Sequence, residues 1–599
     1  MPRSSKVTQP PCLCRRFHVD CSPKTCPQAQ HAGSGDWNHY TIRAFCESAA
    51  GTPQAPPCKT CAAIVRALTE VDEVKLILRG SVEDLKNRGG GGMCEGAEED
   101  FEMMLVELQA VASPPVSENQ VRVVQTASEL MRYTTLSHRW GNNERFTLVK
   151  KNAAEWASAD IPWDTIPRTY RDAITVTRKL GVGYIWIDTM CIMQDDAEDW
   201  RHESTRMKDV YGGSYLNIAA VCAAGSHGGL FASSNLVEEF KTHDVPEQGE
   251  GSVEATATTT TTSSGKGKLR IRQQPHFTHT SFGSNYGGSS FLLGRGWVLQ
   301  ERLLAPRVVY FDQDELKWEC YGGVDCLCGG MLVISNFSLE HRKSLGKWKE
   351  IHLPMQWMRI AERYSQCRLT FDVDRMIALA GIAEQAQKTG RGGKYLAGHW
   401  ERDLAHQLCW EVLDTHRKPA SMYIAPSWSW LSVFGRIGFS NRMDYQCWAS
   451  TIDVRITQVE VTLEDEARET GPVTGGFLKV DGRVVEFDTR MTDPGSSSEP
   501  QTFSLTHREM ETTLDYGVEV DYVMTEASAQ KLETLLLLYW GEMWPHRKTF
   551  LVLRHAENAK EHTGKYERVG MIWFEGEADQ PDFDQLMEWS QHREGIVIV

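Results

Sequence analysis

Acidic and polar side chains stand directly after an apolar run in the middle of the chain. Asp188 follows residues 184–187, and Gln194, Asp195 and Asp196 come shortly after it. Ligands bind outside the carboxyl ends of the strands in open α/β sheets, so we predict that Asp188 and Gln194 bind a ligand. The structural alternative is that Asp188 caps a turn and that Asp195 and Asp196 are acids favoured at a helix N-terminus.

A second polar group lies at the end of an earlier apolar run, YTTLS, and comprises Ser137, His138, Arg139 and Trp140. With Asp188 it would supply the residue types of a serine hydrolase triad. Neighbours on an extended strand point to opposite faces, however, so His138 is badly placed to activate Ser137. The sequence also lacks the GxSxG nucleophile elbow. We therefore predict that Ser137, Arg139 and Trp140 bind a ligand and do not form a triad.

A third group lies in the segment RGWVLQERL, where Trp297 and Glu301 are four residues apart and would share one face of a helix. A glutamate beside an aromatic wall can have a raised pKa and act as acid, base or electrostatic stabiliser. Arg295 and Arg302 could bind a phosphate-bearing ligand or pair with Glu301. The structural alternative is a partly buried Glu–Arg ion pair under a tryptophan.

The N-terminal segment has enough cysteine and histidine to bind a metal. Its spacing matches no standard zinc finger closely, so a structural zinc site and scattered reduced thiols both stay open. The metal-ligand candidates are Cys12, Cys14, Cys21, Cys26, Cys58 and Cys61.

Charge and apolar patterning exclude several kinds of partner. The formal net charge of −16 argues against a nucleic-acid partner and against binding to an anionic membrane, since both need a basic face. No apolar run approaches the length of a transmembrane helix. The first residues contain no apolar stretch typical of a secretion signal. We therefore expect a cytoplasmic protein with mostly reduced thiols.

An alternating β/α pattern begins near residue 130 and would position these groups. Segments 133–137, 184–187 and 215–221 have the composition of buried strands. Pro167 can begin, and Gly181 can end, the helix between the first two strands. The short joints indicate βαβ units and a parallel sheet. The pattern resumes with a helix at 295–304 and strands at 308–311 and 316–320.

The chain divides into five regions by composition and periodicity. Residues 1–61 are rich in cysteine, residues 62–128 are predicted to be helical, including a stripe at 98–112, and residues 129–320 carry the β/α pattern. Within that pattern, residues 233–290 are too polar to fold unaided and are predicted to be a disordered insertion. Residues 340–440 are predicted to be helical with an aromatic-anchored strand at 425–439, and alternation predicts a β-rich region at 445–599.

Three blocks together resemble the fungal heterokaryon incompatibility (HET) domain. They appear in the family's order, and the middle block is highly specific. The blocks are RYTTLSHRWG at 132–141, IPRTYRDAITVTRKLGVGYIWIDTMCIMQDDAEDWRHESTRMKDVYGGSYLNIAA at 166–220 and RGWVLQERLLAPRVVYFDQDELKWEC at 295–320.

The resemblance implies a fold class of α/β, with a parallel-sheet core similar to TIR domains (flavodoxin-like). Helical segments and the β-rich C-terminal region would follow that core. It also implies a filamentous-fungal protein that acts in non-self recognition and regulated cell death. Such a protein would be a signalling and assembly module, with other proteins or further copies of itself as partners.

Some TIR domains cleave NAD with a helix-borne glutamate that follows a tryptophan by four residues. Trp297 and Glu301 resemble that arrangement. The resemblance therefore implies an alternative function, an NAD glycohydrolase with NAD as substrate. Glu301 would be the catalytic acid that stabilises the ribosyl cation or orients the attacking water, and Trp297 would stack on a ring of the substrate.

Overall fold

In the computed structural model, the described residues form several continuous ranges. These are residues 120–126, 131–141, 146–231, 292–312, 316–321, 337–345, 353–413, 422–439, 451–493, 534–543, 547–556, 564–575 and 586–599, together with short strands at 41–45, 104–108, 241–244, 268–274, 323–326, 418–419, 502–506, 514–516 and 519–520.

The α-helices in this part of the chain are numbered in chain order. They are α1 (Ala153–Ser158), α2 (Arg168–Lys179), α3 (Asp188–Cys191), α4 (Ala197–Gly212), α5 (Gly296–Leu304), α6 (Phe337–Leu345), α7 (Leu353–Ser365), α8 (Asp374–Gln387) and α9 (Leu404–Gln407).

The strands are numbered in the same way. They are β1 (Thr41–Phe45), β2 (Met104–Leu108), β3 (Val121–Gln125), β4 (Tyr133–Ser137), β5 (Tyr184–Trp186), β6 (Leu216–Ala219), β7 (Lys241–Asp244), β8 (Lys268–Gln274), β9 (Arg307–Phe311), β10 (Leu316–Cys320), β11 (Gly323–Cys326), β12 (Tyr395–Leu396), β13 (His399–Trp400), β14 (Trp410–Val412), β15 (Lys418–Pro419), β16 (Val433–Phe434), β17 (Ile437–Phe439), β18 (Thr451–Ile452), β19 (Arg455–Leu463), β20 (Val473–Asp493), β21 (Thr502–Thr506), β22 (Leu514–Tyr516), β23 (Glu519–Val520), β24 (Thr534–Met543), β25 (Arg547–His555), β26 (Lys565–Glu575) and β27 (Gln591–Ile598).

A mixed sheet with a parallel centre forms the first core. Its strand order is β11-β10-β9-β6-β4-β5-β2-β3. Strand β4 pairs parallel to both β5 and β6, and β6 pairs parallel to β9. The outer strands pair antiparallel on both sides, β2 to β5 and β10 to β9. The carboxyl ends of β4, β5, β6 and β9 therefore lie at one edge of the sheet.

The central strands are apolar because helices cover the sheet. Every residue of β4, β6 and β9 is buried, as expected of parallel strands covered on both faces. The helix predicted after Pro167 is α2, which buries Tyr170, Ala173 and Ile174. Gly181 follows it with φ +70°, a left-handed conformation that favours glycine at a helix end. The α/β prediction is confirmed, and the predicted parallel sheet is found in the centre of a sheet whose outer strands are antiparallel.

Two predictions about the first core are wrong. Residues 104–108, inside the helix predicted at 98–112, form strand β2, which pairs with both β3 and β5. The local run MLVEL fits helix and strand periodicity equally, so pairing with neighbouring strands decides the outcome. Strands β7 and β8, inside the insertion predicted to be disordered at 233–290, pair with each other, and β8 also pairs with β1.

The helical prediction for the region after residue 340 agrees with α7 and α8. Within the segment predicted as one aromatic-anchored strand at 425–439, only β16 and β17 are extended. Trp428 and Trp430 in this segment are fully buried. The β-rich C-terminal region is confirmed as a ten-stranded sheet, mainly antiparallel, that includes β20 and β24–β27.

Helix α5 joins the two halves of the described chain. Its residues Leu299 and Leu303 belong to the core built around α7, α8 and the C-terminal strands, whereas Leu304 belongs to the core of the mixed sheet. Because one short helix contributes to both cores, its position depends on residues from each.

A buried ion pair fixes the carboxyl-terminal end of α5. The Arg302 guanidinium donates to both carboxylate oxygens of Glu319, which is fully buried. The hydroxyls of Tyr310 and Ser338 donate to the same carboxylate. Hydrogen bonds therefore satisfy this buried charge, which is the condition under which such pairs are tolerated.

We predict that Glu319→Ala lowers the free energy of unfolding by about 3–5 kcal/mol, because it leaves Arg302 buried without its counter-charge. Urea unfolding of the full chain measures this loss. Glu340→Ala is the matched control, since Glu340 pairs with Arg359 in a partly exposed position, and it should cost no more than about 1 kcal/mol. Equal losses for the two variants would contradict the assignment.

Candidate functional site

The polar residues predicted to bind a ligand lie at the carboxyl edge of the parallel strands. Ser137 ends β4, and Asp188 begins α3 immediately after β5. These strands are parallel neighbours, so the two residues leave the sheet at the same edge. Helix α5 brings Glu301 to this edge, where its carboxyl is coupled electrostatically to Asp188 and hydrogen-bonded to Ser137. The predicted convergence of Ser137, Asp188 and Glu301 is therefore observed.

Glu301 is the least compensated group of this cluster. Its side chain is buried, with 6% of the residue surface exposed, and its Oε2 atom has no hydrogen-bond partner. Burial raises the pKa of Glu301 to about 7; the nearby charge of Asp188 acts in the same direction, and hydrogen bonds from Ser137 and Tyr211 oppose it. A carboxyl with a pKa near 7 exists in both protonation states at neutral pH, which suits an acid or base.

Strand β6 supplies the support for Ser137. The Asn217 side-chain amide donates from Nδ2 to the Ser137 hydroxyl at 2.9 Å, and its Oδ1 accepts from Thr135 at 3.1 Å. The Ser137 hydroxyl has two acceptors for its own hydrogen, Asn217 Oδ1 at 3.2 Å and the Glu301 carboxylate. All three residues are buried, so the geometry is held in a setting where few alternative partners exist.

His138 points away from Ser137, as the sequence predicts. Its Nε2 lies 2.9 Å from the hydroxyl of Tyr170, and that hydroxyl also accepts from Thr189 at 3.0 Å. The Nδ1 atom has no hydrogen-bond partner and lies 3.6 Å from Asp188 Oδ1. Burial lowers the pKa of His138, so the ring is neutral at pH 7. The residues of a serine hydrolase triad are present, but they do not form its geometry.

Asp188 makes the local turn contact that was the alternative to ligand binding, and its role in binding a ligand stays a prediction. Its Oδ1 accepts from the backbone N–H of Thr189 at 2.7 Å, a local turn contact, and its Oδ2 accepts from the Trp140 indole at 2.8 Å. The side chain keeps 21% of its surface exposed, so solvent or a ligand can still reach it. Gln194 donates to the backbone carbonyls of Asp188 and Ile192 and thereby stabilises the turn.

The acids after Asp188 have the structural roles that were the alternative to ligand binding. Asp196 is the N-cap of α4 and accepts from the backbone N–H groups of Glu198 and Asp199. Asp195 accepts from the backbone N–H of Lys150 at 2.9 Å. These contacts satisfy the helix N-terminus and the adjoining loop.

The aromatic and basic side chains of helix α5 contact other residues of the protein. Trp297 donates from Nε1 to Asp374 at 3.2 Å, and its ring meets Trp200 edge-on at 6.5 Å. Arg302 forms its ion pair with Glu319. The Glu301–Arg302 pair that the sequence offered as a structural alternative is therefore wrong. Arg295 donates to the backbone carbonyl of His138 at 2.8 Å. Arg139 and Trp140, which follow His138 in the sequence, are half-buried.

Two residues of the cluster, Tyr211 and Asn217, were missed as site residues. Tyr211 occupies the buried stripe of α4, and its length brings the hydroxyl to Ser137 and Glu301. Asn217 is a polar residue inside the buried apolar strand LNIA. A buried amide in such a strand needs a polar partner, and that signal was available in the sequence.

The metal prediction concerns residues outside the described part of the chain. Cys12, Cys14, Cys21, Cys26, Cys58 and Cys61 all lie there, so the structural zinc site stays a prediction. Among the residues that the structure does describe, no group of three or more His, Cys, Asp or Glu side chains could hold a metal ion. Within the same residues, no helix combines the length and apolar character needed to cross a membrane.

We predict that Glu301 makes the chain less stable as the pH rises from 4.5 to about 7. The pKa of Glu301 rises from 4.5 in the unfolded chain to about 7 on folding. The contribution of this group to the free energy of unfolding is therefore fully present below pH 4.5 and is lost above pH 7. Glu301→Gln should remove this pH dependence and raise the free energy of unfolding by up to about 3 kcal/mol relative to wild type at pH 8. Urea unfolding of both proteins at several pH values measures it; a pH-independent difference would contradict the assigned pKa.

Comparison with known proteins agrees with the position of this cluster. The family model described as heterokaryon incompatibility protein (HET) matches residues 133–301, from the start of β4 to Glu301 itself. No curated protein and no solved structure matches the chain. The family match covers nearly all of the first block, the whole of the second, and residues 295–301 of the third. The chain therefore carries a heterokaryon incompatibility (HET) domain at residues 133–301.

Proposed function

We propose that this protein acts in non-self recognition and regulated cell death in the cytoplasm of a filamentous fungus. The match of residues 133–301 to the HET family supports a role related to heterokaryon incompatibility. Its partners would be other proteins or further copies of the chain.

The geometry supports best a catalytic signal, cleavage of NAD at Glu301. One observation carries this proposal: a buried carboxyl with an unpartnered oxygen lies where Ser137 and Asp188 leave adjacent parallel strands. Most buried carboxylates are satisfied by hydrogen bonds, as Glu319 is, whereas Glu203, like Glu301, has an unpartnered oxygen but is paired with Arg206. An unsatisfied carboxyl with a pKa near 7 is typical of a functional site.

The strand order supports a TIR-like, flavodoxin-like interpretation of the core. Across the sheet the four parallel strands lie in the order β5-β4-β6-β9. Numbered by their order in the chain, this is 2-1-3-4. This is the order of flavodoxin-like sheets, in which ligands bind where the order reverses, between the first and third strands. Ser137 on β4 and Asn217 on β6 flank that point.

The proposed reaction is hydrolysis of the bond between nicotinamide and ribose. The bond from ribose C1′ to the nicotinamide nitrogen breaks, and its electron pair leaves with nicotinamide. Water then adds to C1′ and releases a proton, which gives ADP-ribose. The ionised carboxylate of Glu301 would stabilise the positive charge on the ribose or orient the water. Its pKa of about 7 keeps a large share of it ionised at neutral pH.

A second candidate is a non-catalytic assembly module. It is favoured by the burial of Glu301, with 6% of its surface exposed, and by the contacts of Trp297, which point to Asp374 and Trp200. In that case the polar cluster would stabilise the fold, and the signal would pass through protein contacts alone.

Nicotinamide release from NAD by the full chain separates the two candidates. We predict that Glu301→Gln lowers kcat by at least about 100-fold. Glu203→Gln is the matched control, because Glu203 is also buried, is paired with Arg206 at 3.1 Å and lies outside the cluster; it should retain activity. No release by a protein that self-associates would exclude the enzyme, and release unaffected by Glu301→Gln would exclude Glu301.

The pH dependence gives an independent check of the same proposal. Because the ionised form of Glu301 is the active one, kcat/KM should fall about tenfold per unit below pH 7 and level off above it. A profile that is flat between pH 5 and 8 would contradict a role for a group with a pKa of about 7.

A further inference from the structure

The segment that follows α7 binds the beginning of α5 through its backbone. Arg368 donates its N–H to Gly294 at 2.7 Å, and its carbonyl accepts from Gly296 at 3.0 Å. The two bonds form a parallel β-bridge between Arg295 and Arg368. Residue 368 lies beyond the family match at 133–301, so a part of the chain outside the match holds one of its ends.

Side chains of the same segment add two contacts. The buried Asp374 carboxylate accepts from the Trp297 indole at 3.2 Å. Leu369 packs against Gly296 so closely that a Cβ at position 296 would lie 2.6 Å from Leu369 Cδ2. The first two residues of α5 are therefore held in place by residues 368–374.

The first turn of α5 is connected to the site through Arg295 and through the helix itself. Arg295, the N-cap of α5, donates to the carbonyl of His138 at 2.8 Å, and its charge acts on both His138 and Glu301. Glu301 lies on the second turn of the same helix. A short α-helix moves as a rigid unit, so displacing its first turn would displace Glu301 relative to Ser137.

We propose that residues 368–374 form a positioning segment, in which the Arg368 backbone, Leu369 and Asp374 set the distance of Glu301 from Ser137 and Tyr211. The inference rests on the functional role proposed for Glu301. A region outside the HET match would therefore fix the position of Glu301 in the site. Ligand contact is not required of any of these residues.

Site-resolved NMR titration of labelled glutamate carboxyls in the full chain tests this, with Glu301→Gln used to assign the Glu301 signal. Gly296→Ala should shift the midpoint of Glu301 by at least ~0.5 pH unit, because the added methyl pushes α5 away from Leu369. The double variant Gly296→Ala, Leu369→Ala should return the midpoint towards wild type, since it removes the colliding side chain.

Variants of Asp374 give a second and independent test of the proposal. Asp374→Ala removes the acceptor of Trp297 and should shift the Glu301 midpoint, whereas Asp374→Asn retains an acceptor oxygen and should leave it nearly unchanged. Phe371→Ser and Arg368→Ala are controls within the segment: Phe371 is 62% exposed and Arg368 is exposed, and the Arg368 contacts come from its backbone. Neither control should move the midpoint.

Urea unfolding of each variant separates positioning from simple loss of stability. If Gly296→Ala and Asp374→Ala lower stability and leave the Glu301 midpoint unchanged, the segment is only structural and the proposal is wrong. Equal midpoint shifts in the Phe371→Ser control would also overturn it. The titration does not depend on NAD cleavage, so an inactive protein would refute the proposed enzyme without deciding this question.

Discussion

Burial of the Glu301 carboxyl is the constraint on which the arrangement of the site depends. Removing a carboxylate from water is unfavourable unless donors replace the lost hydration. Ser137 and Tyr211 donate to Glu301, and Arg295 adds a positive charge, but Oε2 stays without a partner and the pKa rises to about 7. The parallel pairing of β4 with β6 makes this environment, because it places Asn217 beside Ser137.

Helix α5 carries two buried charged groups in succession, and the fold treats them differently. Arg302 meets Glu319, whose carboxylate accepts from Arg302, Tyr310 and Ser338. Burial alone would raise the pKa of Glu319, but the charge and hydrogen bonds of Arg302 outweigh it and leave that pKa below its ordinary value. Glu301 lacks such compensation. Neighbouring residues of one helix therefore differ: Arg302 belongs to a satisfied ion pair, whereas Glu301 has an oxygen without a hydrogen-bond partner.

Local sequence patterns predict the frame of this site well. The runs at 133–137 and 184–187, Pro167 before α2 and Gly181 after it are short-range signals, and the structure agrees with each. The position of Ser137 and Asp188 at one edge follows from the rule that parallel strands share a carboxyl edge. Sequence reasoning failed where long-range pairing decides. Strand β2, the choice of Glu319 by Arg302 and the contact of Trp297 with Asp374 all depend on partners far away in the chain.

Difference infrared spectroscopy of the carboxyl groups tests the central claim most directly. Wild-type protein minus Glu301→Gln should show one protonated carboxyl band at pH 5.5 that is replaced by a carboxylate band by pH 8.5, with a midpoint of about 7. That result would establish Glu301 as a buried group that changes charge at neutral pH. A carboxylate band already present at pH 5.5 would contradict the account, because it would mean that Glu301 is solvated or paired like an ordinary surface acid.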